Sequence, residues 1–76
     1  MATVTQSTSI QQIGVTAGAI WRVLSDSGPT SLARLPKLTD ASKDAVLLAI
    51  GWLARENKIT IEDRGRVKLV SLTELT

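Results

Sequence analysis

Glu62 and Asp63 are the one adjacent pair of carboxylates in the chain, and paired carboxylates can do general acid–base work. They stand in Ile61-Glu62-Asp63-Arg64-Gly65, where extended alternation sends the two side chains to opposite faces beside a turn. No third group is placed to orient either one. The chain has no Cys and no His. Thiol nucleophiles, Ser-His-Asp and Cys-His arrangements, and zinc or iron sites built on thiolate or imidazole are thereby excluded. Serines and threonines are numerous, but none has a base in a recognisable arrangement. Gly14 and Gly18 have neither the preceding strand nor the Gly-Lys-Ser sequence of a phosphate-binding loop. The residue types predict a protein that is not an enzyme, with no cofactor, no metal and no small-molecule substrate.

The remaining chemistry belongs to cations. Lys58, Arg64, Arg66 and Lys68 cluster in one stretch, and alternation places Arg66 and Lys68 on the same face. Lys43 and Arg55 stand at the two ends of the apolar stretch before it. Such groups suit phosphate, although Glu62 and Asp63 mix the local field, and a charged strand face also keeps a sheet edge from extending. Nine basic against seven acidic residues leave a net charge of +2. That excess is too small to identify a nucleic-acid binder by itself.

These side chains must be held by elements that the periodicity marks out. Ile13, Ala17, Ile20, Trp21 and Leu24 recur at i, i+4, i+7, i+8 and i+11, one face of a helix over residues 13–24. Gly28, free to turn left-handed, and Pro29 end it. Pro29-Thr30-Ser31 is an extended link able to pair as a very short strand, and Ser31 is an N-cap for a helix through Leu35. Pro36 disfavours helical geometry at Leu35, so either the helix kinks there or a single turn forms before Leu38. Thr39, Asp40 and Ser42 are three candidate caps for the strongest helix, residues 42–57, with Asp44 in its first turn and Asn57 as a left-handed terminator. Residues 58–62 and 66–69 then alternate around Asp63-Arg64-Gly65, which is a β-hairpin. The alternation slips between Leu69 and Val70, predicting a bulge or a strand end.

The order is helix, extended link, short helix, long helix, hairpin. It predicts a mainly α fold with a small antiparallel sheet: a winged helix-turn-helix of three helices plus a two- or three-stranded wing. Ile50-Gly51-Trp52-Leu53-Ala54-Arg55-Glu56-Asn57-Lys58-Ile59 resembles the GWLARE-x-K-I signature of a small family of bacterial and archaeal winged-helix proteins. Ile13-Gly14 through Trp21 is similar to that family's opening helix, so the likeness runs over residues 10–70. The resemblance implies the fold and brings no catalytic residues to carry over. For a winged helix the general expectation is DNA binding and transcription regulation, with the third helix in the major groove and the wing on phosphates or in the minor groove.

The third helix argues against base reading. With Ala45, Ala49, Trp52 and Leu53 as its buried stripe, the opposite face presents Lys43, Leu47, Ile50, Gly51 and Ala54. A face without Arg, Lys, Asn or Gln through its middle makes no bidentate contact to guanine or adenine. Contacts to double-stranded DNA are therefore expected from Lys43, Arg55, Lys58, Arg64, Arg66 and Lys68, to the backbone and with little sequence preference. The same apolar face supports a second class of role. Leu47, Ile50, Gly51 and Ala54 would form an interface with a second copy or another protein, unless the helix is rotated from this estimate or the N-terminal segment folds over it. Trp21 and Trp52, the only aromatic residues, are expected in the core.

A chain of 76 residues is one small domain. Its expected parts are a flexible N-terminal segment at 1–9 leading into a short strand around Ile10, the winged helix at 10–72, and a frayed end at 73–76. The longest apolar run, AVLLAIGWLA, is about half the length of a membrane span. Residues 1–12 carry no charged side chain and do not read as an export signal. The expectation is a soluble, cytoplasmic protein with no membrane partner.

Overall fold

The computed structural model describes the backbone of residues 8–73 and the side chains of residues 10–73. Helix α1 spans Thr8–Ser27, strand β1 Thr30–Ser31, helix α2 Leu35–Thr39, helix α3 Lys43–Arg55, strand β2 Ile59–Arg64 and strand β3 Val67–Leu72, with a single 3-10 turn at Leu32–Arg34. The fold is mainly helical with three antiparallel strands in the order β1-β3-β2. This is the expected winged arrangement in its three-stranded form.

Helix α1 is longer than its apolar stripe and takes in Thr8, Ser9 and Ile10, so there is no strand around Ile10. A run without Gly or Pro before Gly14 lets the helix extend outward past the core. The rest of the N-terminal segment and residues 74–76 lie outside the described residues. At the other end Gly28 adopts φ 79°, and its N–H bonds to the Leu24 carbonyl at 2.9 Å. This left-handed residue is the expected terminator.

Thr30 and Ser31 pair antiparallel with Val70 and Leu69. Ser31 precedes the 3-10 turn in an extended conformation, without a side-chain capping bond. Before Pro36 only the single 3-10 turn forms, and Pro36 itself stands in the first turn of α2, where its missing N–H has no helical partner to lose. Asp40, at φ 59°, closes α2. Of the three candidate caps for α3, Ser42 is the one used, its Oγ accepting from the Ala45 N–H at 3.1 Å. Asn57 is left-handed at φ 62° as expected.

Strands β2 and β3 pair in unbroken register from Ile59↔Leu72 to Arg64↔Val67, so no bulge interrupts Leu69-Val70. The lapse in alternation has another cause. β3 is the central strand, with Val70 fully buried and Leu69 half-buried on the other face, and a strand partly covered on both faces loses strict alternation. Gly65, at φ 70°, opens the two-residue connection.

The core joins Ala17, Ile20 and Leu24 of α1, Leu35 of α2, and Val46, Ala49, Ile50 and Leu53 of α3 to Ile59 and Val70 of the sheet. The buried stripe of α3 thus differs from the expected one. Ile50 is only 4% exposed, whereas Trp52 is 48% exposed. The helix is turned by less than one residue's step of about 100° from the sequence estimate. Trp21 is likewise 47% exposed, so neither tryptophan lies in the core.

Candidate nucleic-acid interface

Alternation and register decide where each wing cation points. Ile59, Ile61, Asp63, Lys68, Val70 and Leu72 are cross-strand partners on one face of the hairpin. Val70 is fully buried on that face, so this is the face turned toward the helices. Lys68 continues it past the edge of the core and overhangs α3. Arg66, in the turn two residues before Lys68, lines the same groove as Lys68. With Lys43 from the first turn of α3 they line one groove of about 230 Å³, whose apolar walls include Leu32, Val46 and Leu47. Three cations from two elements far apart in sequence meet in it.

The groove is not purely cationic. Lys68 Nζ lies 3.3 Å from Asp63 Oδ2 across the strands. Both groups are well exposed, and such a pair contributes little. Among the described residues Lys43 and Arg66 have no salt-bridge partner, so the groove keeps an excess of positive charge.

The other candidate cations go elsewhere. Arg64 is on the opposite face of β2, its Nε 3.2 Å from Glu62 Oε2. Arg55 is exposed on the last turn of α3. Lys58 lines a different groove, between α1 and α3. Of the six expected phosphate contacts, the fold brings three together: Lys43, Arg66 and Lys68.

The expected protein interface is also redistributed. Leu47, Gly51 and Ala54 are exposed. Ile50 is not available to a partner, because it packs in the core with Val46, Ala49 and Leu53. Leu47 forms a wall of the cationic groove. On the outer face of α3, Asp44, Leu48, Gly51 and Arg55 are exposed, a surface with one terminal Arg and no Asn or Gln to read a base edge.

Sequence reasoning missed the groove between α1 and α3. Trp21 and Trp52 line it with the exposed Gly14 and Gly18, the buried Ala17 and Leu53 lie at its base, and the exposed Glu56 and Lys58 stand on its rim. A signal was present: Gly14, Gly18 and Trp21 fall at i, i+4 and i+7, a second helical face beside the apolar one. Glycine is neither apolar bulk nor charge, so that face stands out in neither pattern. A Cβ built on Gly14 or Gly18 would meet nothing within 4 Å, and neither residue has a positive φ. Each costs a helix about 0.5–1 kcal/mol relative to Ala, and no close packing inside the chain calls for either.

Among the described residues there is no group of His, Cys, Asp or Glu able to hold a metal. No described helix is long and apolar enough to cross a membrane.

A solved structure shares this fold. The solution NMR structure of protein BT2368 from Bacteroides thetaiotaomicron superimposes with a TM-score of 0.73 at 32% identity, covering 82% of this chain and 76% of that one. Uncharacterized protein MJ1608 of Methanocaldococcus jannaschii is 42% identical over 53 residues, which are 66% of this chain and 74% of the archaeal protein. Residues 8–72 match the model of the family described as winged helix-turn-helix domain (DUF2582). With helix, turn, helix and wing all inside that match, the chain belongs to the DUF2582 family of winged helix-turn-helix domains.

Proposed function

We propose that this protein is a DNA-associated regulatory module that grips the duplex backbone through Lys43, Arg66 and Lys68. One observation carries the reading: the wing and the start of α3 direct three cations into a single groove. Winged-helix domains place those two elements against DNA, and the family supports the same kind of partner. The chemistry is phosphate contact and counterion release, without base reading, since α3 exposes Leu47, Leu48, Gly51 and Trp52 along its length. Affinity is therefore expected to vary little between duplex sequences.

Titration of a labelled random-sequence duplex, followed by anisotropy at low and moderate salt, tests this. Three phosphate contacts imply a log–log salt slope of about −2.7, a loss of roughly 40-fold for a fourfold rise in salt. The double variant K43A/R66A should weaken binding on every sequence and flatten the slope by about two. Arg64→Ala, on the outer face and paired with Glu62, should change little. Equal losses from Arg64→Ala and Arg66→Ala would remove the groove from the account, and no binding at either salt would remove DNA.

A further inference from the structure

We propose that the groove between α1 and α3 is the contact surface of a two-fold homodimer, in which each copy sets its two indole rings against the exposed Gly14 and Gly18 of the other. The site is distinct from the phosphate groove. Leu47 and Trp52 stand about 140° apart around α3, so a partner on the tryptophan side leaves the wing and Lys43 open.

Four observations support a second copy as the occupant. Trp21 and Trp52 are 47% and 48% exposed on either side of a groove of about 360 Å³. Half-exposed indoles leave on the order of 100 Å² each. The stripe continues along α1 through Ile10, which is 78% exposed and lies at i to Gly14, Gly18 and Trp21 at i+4, i+8 and i+11. Together these residues supply a few hundred Å² of apolar surface, less than the ~800 Å² per partner of standard-size interfaces, which fits a weak dimer. Second, Gly14 and Gly18 open onto empty space, so their missing side chains serve an approach from outside the chain.

Third, the rim carries one charge of each sign, Glu56 and Lys58. A two-fold axis sets residue i against j and j against i. A surface with one acid and one base on its rim is then complementary to itself, Glu56 meeting the partner's Lys58 and Lys58 the partner's Glu56. Fourth, that balance disfavours single-stranded nucleic acid, which stacks bases on aromatic rings but also needs a cationic track for its phosphates. Glu56 breaks such a track.

Analytical ultracentrifugation of the full chain, from micromolar toward millimolar concentration, reads the association directly. The native protein should pass from monomer to dimer, with the tryptophan emission moving to shorter wavelength as both indoles are covered. Gly18→Gln should remain monomeric throughout and keep its helical circular dichroism, because a Cβ at this exposed position meets nothing in its own chain and glutamine favours the helix over glycine. Glu56→Lys and Lys58→Glu should each weaken the dimer about tenfold, and the double exchange E56K/K58E should restore it. A native chain that stays monomeric, a dimer that survives Gly18→Gln, or charge variants without mutual rescue would overturn the proposal. So would a monomer whose tryptophan emission responds to oligothymidine, or reddens when residues 1–7 are removed. The first would assign the groove to single strands and the second to the chain's own N-terminus. None of these outcomes touches duplex binding, which the Lys43 and Arg66 variants read.

Discussion

Leu47 and Ile50 are three residues apart on one helix and meet opposite fates. Ile50 packs among Val46, Ala49 and Leu53, while Leu47 is 44% exposed at the edge of the wing groove. Truncation separates the two roles. Ile50→Ala removes buried methylenes and leaves a cavity, and should cost about 2–4 kcal/mol. Leu47→Ala should stay within about 0.5–1 kcal/mol, since much of its surface is already in water. Urea unfolding of both variants checks this, and equal costs would mean that α3 is rotated from the orientation described. The sequence could not settle the matter. Ala45-Val46-Leu47-Leu48-Ala49-Ile50-Gly51-Trp52-Leu53-Ala54 is apolar all round, and such a helix has no polar side to mark which way it faces. The exposed tryptophans follow from the same ambiguity, since indole size suggests the core while the packing left both at its edge.

Elements were easier to read, because their ends depend on local chemistry. Gly28 and Asn57 take the left-handed conformations that end α1 and α3, and Gly65 turns the hairpin. Ser42 caps α3 through the Ala45 N–H. Ser42→Ala should therefore lower stability by about 1 kcal/mol, visible as a fall in the thermal midpoint, whereas Ser42→Asp should keep it. An unchanged midpoint for Ser42→Ala would show that water replaces the cap at no cost. The hairpin departed from expectation for a non-local reason. The strand slip at Leu69-Val70 vanished because β1 joins β3 from the far side, a pairing that lies about forty residues away along the chain. Pro36 follows the 3-10 turn in the first turn of α2, where its missing N–H breaks no helical bond.

For the whole molecule, the arrangement of grooves matters more than any one charge. Six cations near the wing and α3 looked equivalent in sequence, yet the fold divides them among a shared groove, an opposite strand face, a helix end and the rim of the tryptophan groove. A domain of this size buries a modest share of its surface and is only marginally stable, so covering an apolar groove with a second copy would matter to its stability. Linkage makes this measurable, because association of folded chains raises the thermal midpoint with protein concentration. The native protein should melt at a higher temperature when concentrated, while Gly18→Gln should melt at one temperature at any concentration. A native midpoint independent of concentration would count against the dimer.

The sequence by itself determined the order of elements, the breaks between them, the exclusion of thiol and imidazole chemistry, and the nearness of Arg66 to Lys68. Each depends on groups a few residues apart, where periods of two and 3.6 and the behaviour of Gly, Pro and cap residues dominate. Tertiary structure decided the rotation of α3, the exposure of Trp21 and Trp52, the third strand pairing, and which cations meet. Those depend on how α1, α3 and the sheet settle against one another. The choice of which apolar side is buried is made by the packing of all three at once, and no single segment carries it.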